Sequence, residues 1–338
     1  MRVVELVNGF GVENLRLTER ALPTVKAGEV LVQMGAASLN YRDLLMVRGL
    51  YNPRQRLPLV PCSDGAGTVV AVGDGVRDVT VGTRVIPAFA QAWLSGEPTR
   101  ELLSSTLGGP LDGTLCEHRV FDPRALVQVP EHLSLIEAAT LPCAALTAWR
   151  ALFDHGGLLP GQWVLVQGSG GVSVFALQFA KQIGARVIAT TSSAEKAARL
   201  RELGAEVVIN YRDEPQWSKR VREVTDSRGV DVIVEVGGAG TLEQSLRAIK
   251  VGGRVSLIGV LSGGSGEVNL LPVLMQDVRV QGVIVGSRAH LQQMCDALAA
   301  WRLHPVVDRV FAMEDIAEAM THMASGAHLG KVAVEIAS

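Results

Sequence analysis

Trp163-Val-Leu-Val-Gln-Gly-Ser-Gly-Gly-Val-Ser173 is the stretch from which the rest of the chain is read. An apolar run of strand length, Trp163 to Gln167, meets Gly168, Gly170 and Gly171 with no spacer. Apolar residues then recur at Val172, Phe175, Ala176, Phe179, Ala180 and Ile183, the spacing of one helix face packed on a sheet. Gly184 closes that helix and Arg186 to Thr190 opens a second strand. Strand, glycine turn, helix and strand make a βαβ unit, which leaves backbone N–H groups and a helix N-terminus free for a pyrophosphate. The third glycine of the usual fingerprint is Ser173, small enough to keep helix and strand close. An ordinary tight turn is the competing reading, and the strand-before, helix-after context favours the nucleotide.

Working outward, the alternation continues downstream. Strands at 186–190, 206–211, 230–236, 253–259 and 279–285 are separated by helical stretches near 194–203, 215–227 and 241–250. With the first strand this predicts a six-stranded, doubly wound parallel sheet. Upstream, residues 1–124 are β-rich, with runs at 29–34, 67–72 and 83–88 between glycine and proline turns. One short helix interrupts them, opened by Asn40 and Asp43 in N-cap spacing and ended by Gly49. Residues 89–113 read as a long surface loop, and 133–153 as helical with Leu146, Trp149 and Phe153 on one face. Beyond Gly286 two helices and a strand, Val332 to Ile336, are too little for a third domain, so the tail is expected to rejoin the first. The expected division is 1–124 with 287–338, and 125–286 between them, with a cleft for the cofactor's reactive end.

A chain of 338 residues exceeds one ordinary core. With 32 Lys plus Arg against 34 Asp plus Glu, the net charge of −2 gives no basic field, so no nucleic-acid partner is expected and a small-molecule substrate is. No leader-like apolar segment opens the chain and no run approaches a membrane span, so a soluble cytoplasmic protein is expected. Cys62, Cys116, Cys143 and Cys295 are scattered without a CxxC pair, which implies neither a disulfide framework nor a compact zinc lobe. Cys295 lies on the stripe Leu291, Met294, Cys295, Leu298 and reads as a core thiol.

Three stretches carry a family resemblance: Ser38-Leu-Asn-Tyr-Arg-Asp-Leu44 with Gly49-Leu-Tyr51, Pro61-Cys-Ser-Asp-Gly-Ala-Gly67 with Val-Val-Ala-Val-Gly73, and Ala138-Ala-Thr-Leu-Pro-Cys-Ala-Ala-Leu-Thr147. Together with the glycine turn they resemble the medium-chain dehydrogenase/reductase superfamily, in particular its zinc-independent, quinone-oxidoreductase-like branch. The resemblance implies an α/β fold: a GroES-like β-rich catalytic domain from both chain ends around a Rossmann doubly wound parallel sheet. Metal-dependent relatives hold zinc with a Cys in the first stretch, a His in the second and a ligand near the domain junction. Here those positions are Asn40, Ser63 in the triplet Cys62-Ser63-Asp64, and Cys143, so no zinc is expected. An unusual site on Cys62, Asp64 and Cys143 is the alternative.

The resemblance also implies cofactor contacts. Ser169, Gly170, Gly171 and Val172 would meet the pyrophosphate; Asn40, Thr147, Gly237, Ile258 and Gly286 would contribute elsewhere. Specificity can be read more directly. NAD-specific sheets carry an acid about 20 residues past the first glycine, and here the sequence is Thr190-Thr191-Ser192-Ser193. Hydroxyls leave room for a 2′-phosphate and Lys196 can supply charge, so NADPH is expected over NADH; the resemblance implies that Tyr211, after the third strand, completes that pocket. Ser192 with Glu195 also reads as a capping box for the next helix.

Without zinc the expected chemistry is NADPH-dependent reduction of quinones or activated alkenes. Asn40 and Tyr51 are expected to meet the developing oxyanion, with Tyr51 the proton donor; Asp64, Tyr41 or a water are the alternatives. A zinc-type alcohol dehydrogenase, and a nucleotide-binding protein without turnover, are the competing functions. The resemblance and the exposed edge left by the last Rossmann strand both predict a homodimer.

Overall fold

Residues from both ends of the chain share one sheet. In the computed structural model, which describes residues 1–336, Met1–Leu146 and the chain from Val285 onward form one compact unit, and Thr147–Ile284 forms a second. In the first unit, β1 (Arg2–Leu6) pairs antiparallel with β2 (Leu15–Glu19). They are followed by β3 (Val30–Leu39), β4 (Asp64–Val72), β5 (Arg84–Pro87), β6 (His118–Phe121) and β7 (Leu126–Gln128). The segment near 133–146 also lies on this unit. Ser38 Oγ donates to Ala139 O at 2.9 Å, and Leu135 packs over Gly35, where an added Cβ would fall 2.5 Å from the leucine methyl.

Residues 89–113 depart from the surface loop expected of them. Trp93 and Leu107 are fully buried, Ala90 bridges Thr106, and a short helix, Arg100–Leu103, is capped by Thr99. Glycine, proline and serine content signalled a loop, but two large apolar side chains anchor it in the core.

The second unit follows the predicted alternation. Its strands are β8 (Trp163–Gln167), β9 (Arg186–Thr191), β10 (Val207–Asn210), β11 (Val230–Glu235), β12 (Ile249–Leu257) and β13 (Arg279–Gly282). They form one all-parallel sheet in the order β10-β9-β8-β11-β12-β13. β8 and β11 lie side by side although β9 and β10 separate them in sequence. At such a reversal the crossover helices diverge and leave a crevice at the strands' carboxyl ends. β8 and β11 are buried throughout, which is why they read as continuous apolar runs.

The tail then returns to the first unit with helices Arg288–Trp301 and Ile316–Ser325 and strands β14 (Val307–Ala312) and β15 (Lys331–Glu335). The first unit's main sheet runs β14-β15-β3-β4-β5-β7. β15 pairs with Ala36–Leu39 and β6 with Val30–Gln33, so the two share the edge of β3 opposite β4. Leu291, Met294, Cys295 and Leu298 are buried on one helix face, as their spacing predicts, and so are Ile316, Ala319, Met320 and Met323. Among the described residues no helix is long and apolar enough to cross a membrane.

Candidate active site and nucleotide site

The nucleotide signature lies at the carboxyl ends of β8, β9 and β11. Gly168, at φ +74°, turns the chain out of β8 in a conformation that strains any residue with a side chain. Its N–H donates to Thr190 O at 2.9 Å. Helix Gly171–Gln182 follows, with Gly170 as N-cap, and its first N–H groups have no intrahelical partner. A Cβ placed on Gly170 would meet nothing within 4 Å, so the backbone there is open to a ligand. Ser173, the substituted third glycine, donates its hydroxyl to Gln167 O at 2.6 Å and ties the helix to the strand.

Beside this turn Glu235 ends β11, fully buried. Its carboxylate accepts from Gly237 N at 2.8 Å, Gly238 N at 3.1 Å and Thr241 Oγ1 at 2.6 Å, and also from Ser245 Oγ and Gln167 Nε2. Ile258 N–H donates to Glu235 O at 2.8 Å. Ser169–Val172, Gly237 and Ile258 thus follow the carboxyl ends of the neighbouring strands β8, β11 and β12. Thr147 opens the same unit, buried, whereas Asn40 and Gly286 belong to the first.

At the end of β9, Thr190 and Thr191 are buried and no acid follows. The helix cap is not the expected one. Ser193, rather than Ser192, is the N-cap of helix Ala194–Glu202, accepting from Lys196 N at 3.3 Å. Thr191 Oγ1 in turn accepts from Ser193 N at 3.3 Å. The chain leaves β9 one residue later than the capping-box spacing assumed, so Ser193 and Thr191 are engaged while the Ser192 hydroxyl bonds no described residue. Tyr211 N–H donates to Thr191 O at 3.0 Å, which sets Tyr211, 41% exposed, beside this corner.

In the first unit the motif residues converge below helix Tyr41–Val47. Asp43, at its third position, accepts from Asn40 N at 2.8 Å and from Ser63 N at 3.2 Å, joining two stretches that are remote in sequence. Cys62 takes a left-handed φ of 69°, rare for a residue with a side chain, and Thr114 N–H holds its carbonyl at 3.0 Å. That turn delivers Ser63 and Asp64, both fully buried. Ser63 Oγ donates to Asp64 Oδ1 at 2.7 Å, Asn40 Nδ2 reaches Ser63 Oγ at 3.4 Å, and Cys143 N–H donates to Asp64 Oδ2 at 3.1 Å. Burial pushes the carboxyls of Asp43 and Asp64 up, opposed by Arg42 and Lys331 respectively.

Tyr51 reaches the same helix from its far end. Its ring lies against the Arg42 guanidinium, 5.1 Å from it, with Phe89 at 5.1 Å as a second aromatic neighbour. Arg42 is itself fixed by Leu107 O at 3.1 Å and Gly109 O at 3.0 Å. Tyr51 N–H donates to Leu45 O at 3.2 Å, in the helix's last turn, while its ring meets the side chain of Arg42 from the first. Tyr51 is 52% exposed, and its hydroxyl bonds no described residue.

The residues at the metal positions of zinc-dependent relatives do not fit that ion. Asn40 and Ser63 are neutral and already paired, and both Asp64 oxygens accept hydrogen bonds. Burial first, then Asp64, pushes the Cys143 thiol far above its ordinary range. Among the described residues no group of three or more His, Cys, Asp or Glu could hold a metal ion.

Two side chains at these sites escaped the sequence reading. Lys331 and Glu235 each stand at the end of an apolar strand, Lys-Val-Ala-Val-Glu335 and Val-Asp-Val-Ile-Val-Glu235, and a charge placed where a strand is otherwise buried was the available signal.

Comparison with known proteins agrees with this architecture. The alcohol dehydrogenase GroES-like domain family matches residues 26–131 and the zinc-binding dehydrogenase family matches 171–300. A zinc-type alcohol dehydrogenase-like protein of Schizosaccharomyces pombe is 42% identical, over 98% of this chain and 97% of its own. An acryloyl-coenzyme A reductase of Metallosphaera sedula is 30% identical, over 92% and 93%. The crystal structure of a putative alcohol dehydrogenase from Sinorhizobium meliloti superposes with a TM-score of 0.89 at 42% identity, over 95% of each chain. The chain belongs to the medium-chain dehydrogenase/reductase superfamily, whose members are oxidoreductases using a nicotinamide cofactor.

Proposed function

We propose that this protein is an NADPH-dependent, zinc-independent reductase of quinones or activated alkenes. One observation carries the reading: at two of the positions where zinc-dependent relatives place metal ligands, Asn40 and Ser63 stand joined by a hydrogen bond, and Ser63 is bonded in turn to Asp64. Such a site offers hydrogen-bond donors to a developing oxyanion and no Lewis acid. The relative named acryloyl-coenzyme A reductase supports an alkene conjugated to a carbonyl as acceptor.

The second unit would hold the cofactor, with the pyrophosphate on Ser169–Val172 and the adenosine end at Thr191, Ser192, Ser193, Lys196 and Tyr211. The absence of an acid after β9 favours the 2′-phosphate. When bound, the cofactor supplies a hydride to the substrate's β-carbon or quinone ring. Asn40 Nδ2 would then stabilise the oxygen that becomes negative, and Tyr51, with a hydroxyl left free by its neighbours, would deliver the proton. Asp64 would hold Ser63 and the backbone of Cys143 in place. A panel of quinones, enones, enals and aldehydes with NADPH tests this reading. Turnover confined to aldehydes or alcohols, or about one tightly bound zinc per chain whose removal abolishes activity, would overturn it.

The same reading includes a homodimer in the cytoplasm, formed along the edge of β13. That strand is exposed along its length, and Leu270, Leu271, Leu274 and Met275 beside it are all more than half exposed. An open strand edge flanked by apolar side chains is usually covered. Light scattering at micromolar concentration tests it, and a monomer would contradict it.

A further inference from the structure

We propose that Lys331 is a positioning residue that fixes which way round the Asn40 carboxamide sits. The proposal rests on Asn40 serving as oxyanion donor. Lys331 is 98% buried by its 2% exposure, and its Nζ donates to Leu39 O at 2.6 Å and to Asn40 Oδ1 at 2.6 Å. An ammonium can only donate. The atom of Asn40 that faces it is therefore the oxygen, and Nδ2 is turned the other way, toward Ser63.

The remaining bonds inherit that direction. Asn40 Nδ2 donates to Ser63 Oγ at 3.4 Å, Ser63 Oγ donates to Asp64 Oδ1 at 2.7 Å, and Asp64 Oδ2 stands 4.0 Å from Lys331 Nζ. The ring starts on a pure donor and ends on a pure acceptor, so no amide or hydroxyl in it can reverse without breaking a bond. Nδ2 is thereby turned toward Ser63 and the Asp64 carboxylate, and it is the donor that Asn40 can offer to a substrate oxygen. A methionine would fill the same space without the desolvation cost of an ammonium. What it would lose is the choice of amide face. A reversed amide would point its oxygen at the developing oxyanion and oppose the reaction.

The test combines turnover with a readout of the amide itself. With NADPH and 2-cyclohexen-1-one or 1,4-benzoquinone, Lys331→Met and Asn40→Ala are each expected to lower kcat at least tenfold. The double variant should be no slower than Asn40→Ala, and Lys331→Arg, still a pure donor, should recover to within about threefold of the parent. Multiplying effects, or a parent-like Lys331→Met beside a slow Asn40→Ala, would overturn the proposal. A parent-like Asn40→Ala would instead remove the oxyanion reading. The orientation is then decided by ¹H–¹⁵N spectra of asparagine-labelled protein. One Asn40 side-chain pair in the parent, broadened or doubled in Lys331→Met, supports it, and an unchanged pair refutes it. Should Lys331→Met fail to fold, Lys331→Gln, whose amide can present either face, takes its place in both measurements.

Discussion

Gln167 Nε2 donates to Glu235 Oε2 at 2.7 Å, and that bond joins the carboxyl ends of β8 and β11. The carboxylate is buried among neutral donors, two of them the N–H groups of Gly237 and Gly238. It therefore acts as a scaffold for the loop after β11. Glu235→Gln keeps the shape but sets an NH₂ group against some of those donors. With hydrogen bonds to a charged acceptor contributing roughly 1.5–3 kcal/mol each, a loss of about 3 kcal/mol and weaker nucleotide binding are expected. Denaturant melts and NADPH fluorescence titrations check both; a change below about 0.5 kcal/mol would show that the five donors find other partners.

Alkaline pH should expose the buried thiols. Burial pushes Cys295 up to about 12 and Cys116 up to about 11. In the unfolded chain a thiol ionises near 8.5, so from there upward the unfolded state binds fewer protons than the folded one. Stability is fully present below that pH and falls by about 1.4 kcal/mol per pH unit for each such thiol, until the pH passes the folded value. Cys295→Ala should make the decline between about pH 9.5 and 10.5 shallower by one proton's worth. An unaltered slope in parallel urea titrations would contradict the assignment.

NADPH should bind more tightly than NADH. Two or three charge-assisted bonds to a 2′-phosphate correspond to about 2–4 kcal/mol, a preference of roughly 30-fold or more. Ser192 is the better hydroxyl for this purpose, since Ser193 is engaged as a helix cap. Lys196→Glu should erase the preference while leaving NADH affinity within a few-fold. Calorimetry that finds equal dissociation constants for the parent would sink the idea.

Tyr51→Phe separates a proton donor from a pocket wall. The ring's contact with Arg42 survives the change, so the loop should keep its place while the phenol is lost. For an enone, kcat is expected to drop about 10²-fold with NADPH affinity unchanged. A loss within about threefold for every accepted enone would leave Tyr51 as wall only.

Element type was legible wherever periodicity was strong. Most of the second unit's strands and helices stand where the apolar runs and the 3.6-residue stripes put them, because a sheet covered on both faces leaves no alternative to continuous apolar strands; β12 begins at Ile249, inside the helix expected to 250, β13 stops at Gly282, and the short helix Leu271–Met275 was not expected. The helix after Asn40 was legible from its cap. Residues 89–113 were not, since two anchoring side chains, Trp93 and Leu107, are outvoted in a window of glycine, proline and serine. Ser192 and Ser193 could not be told apart because either spacing caps a helix, and only the exit angle of β9 chooses. Lys331 was illegible for a different reason: its partner Asn40 lies at the opposite end of the chain, and pairing across such a separation leaves no local pattern.

That separation also has a time attached to it. β15 is an interior strand of the first unit's sheet, between β14 and β3, yet it is made of residues 331–335. At ribosomal speeds of about 5–20 residues per second, β3 is synthesised roughly 15–60 s before the strand that completes its edge. Meanwhile Thr147–Ile284 has emerged in full, whereas the edge of β3 at Ala36–Leu39 stays open to any other strand. A chain interrupted before residue 331 would keep that edge open and would also lack the Asn40 partner.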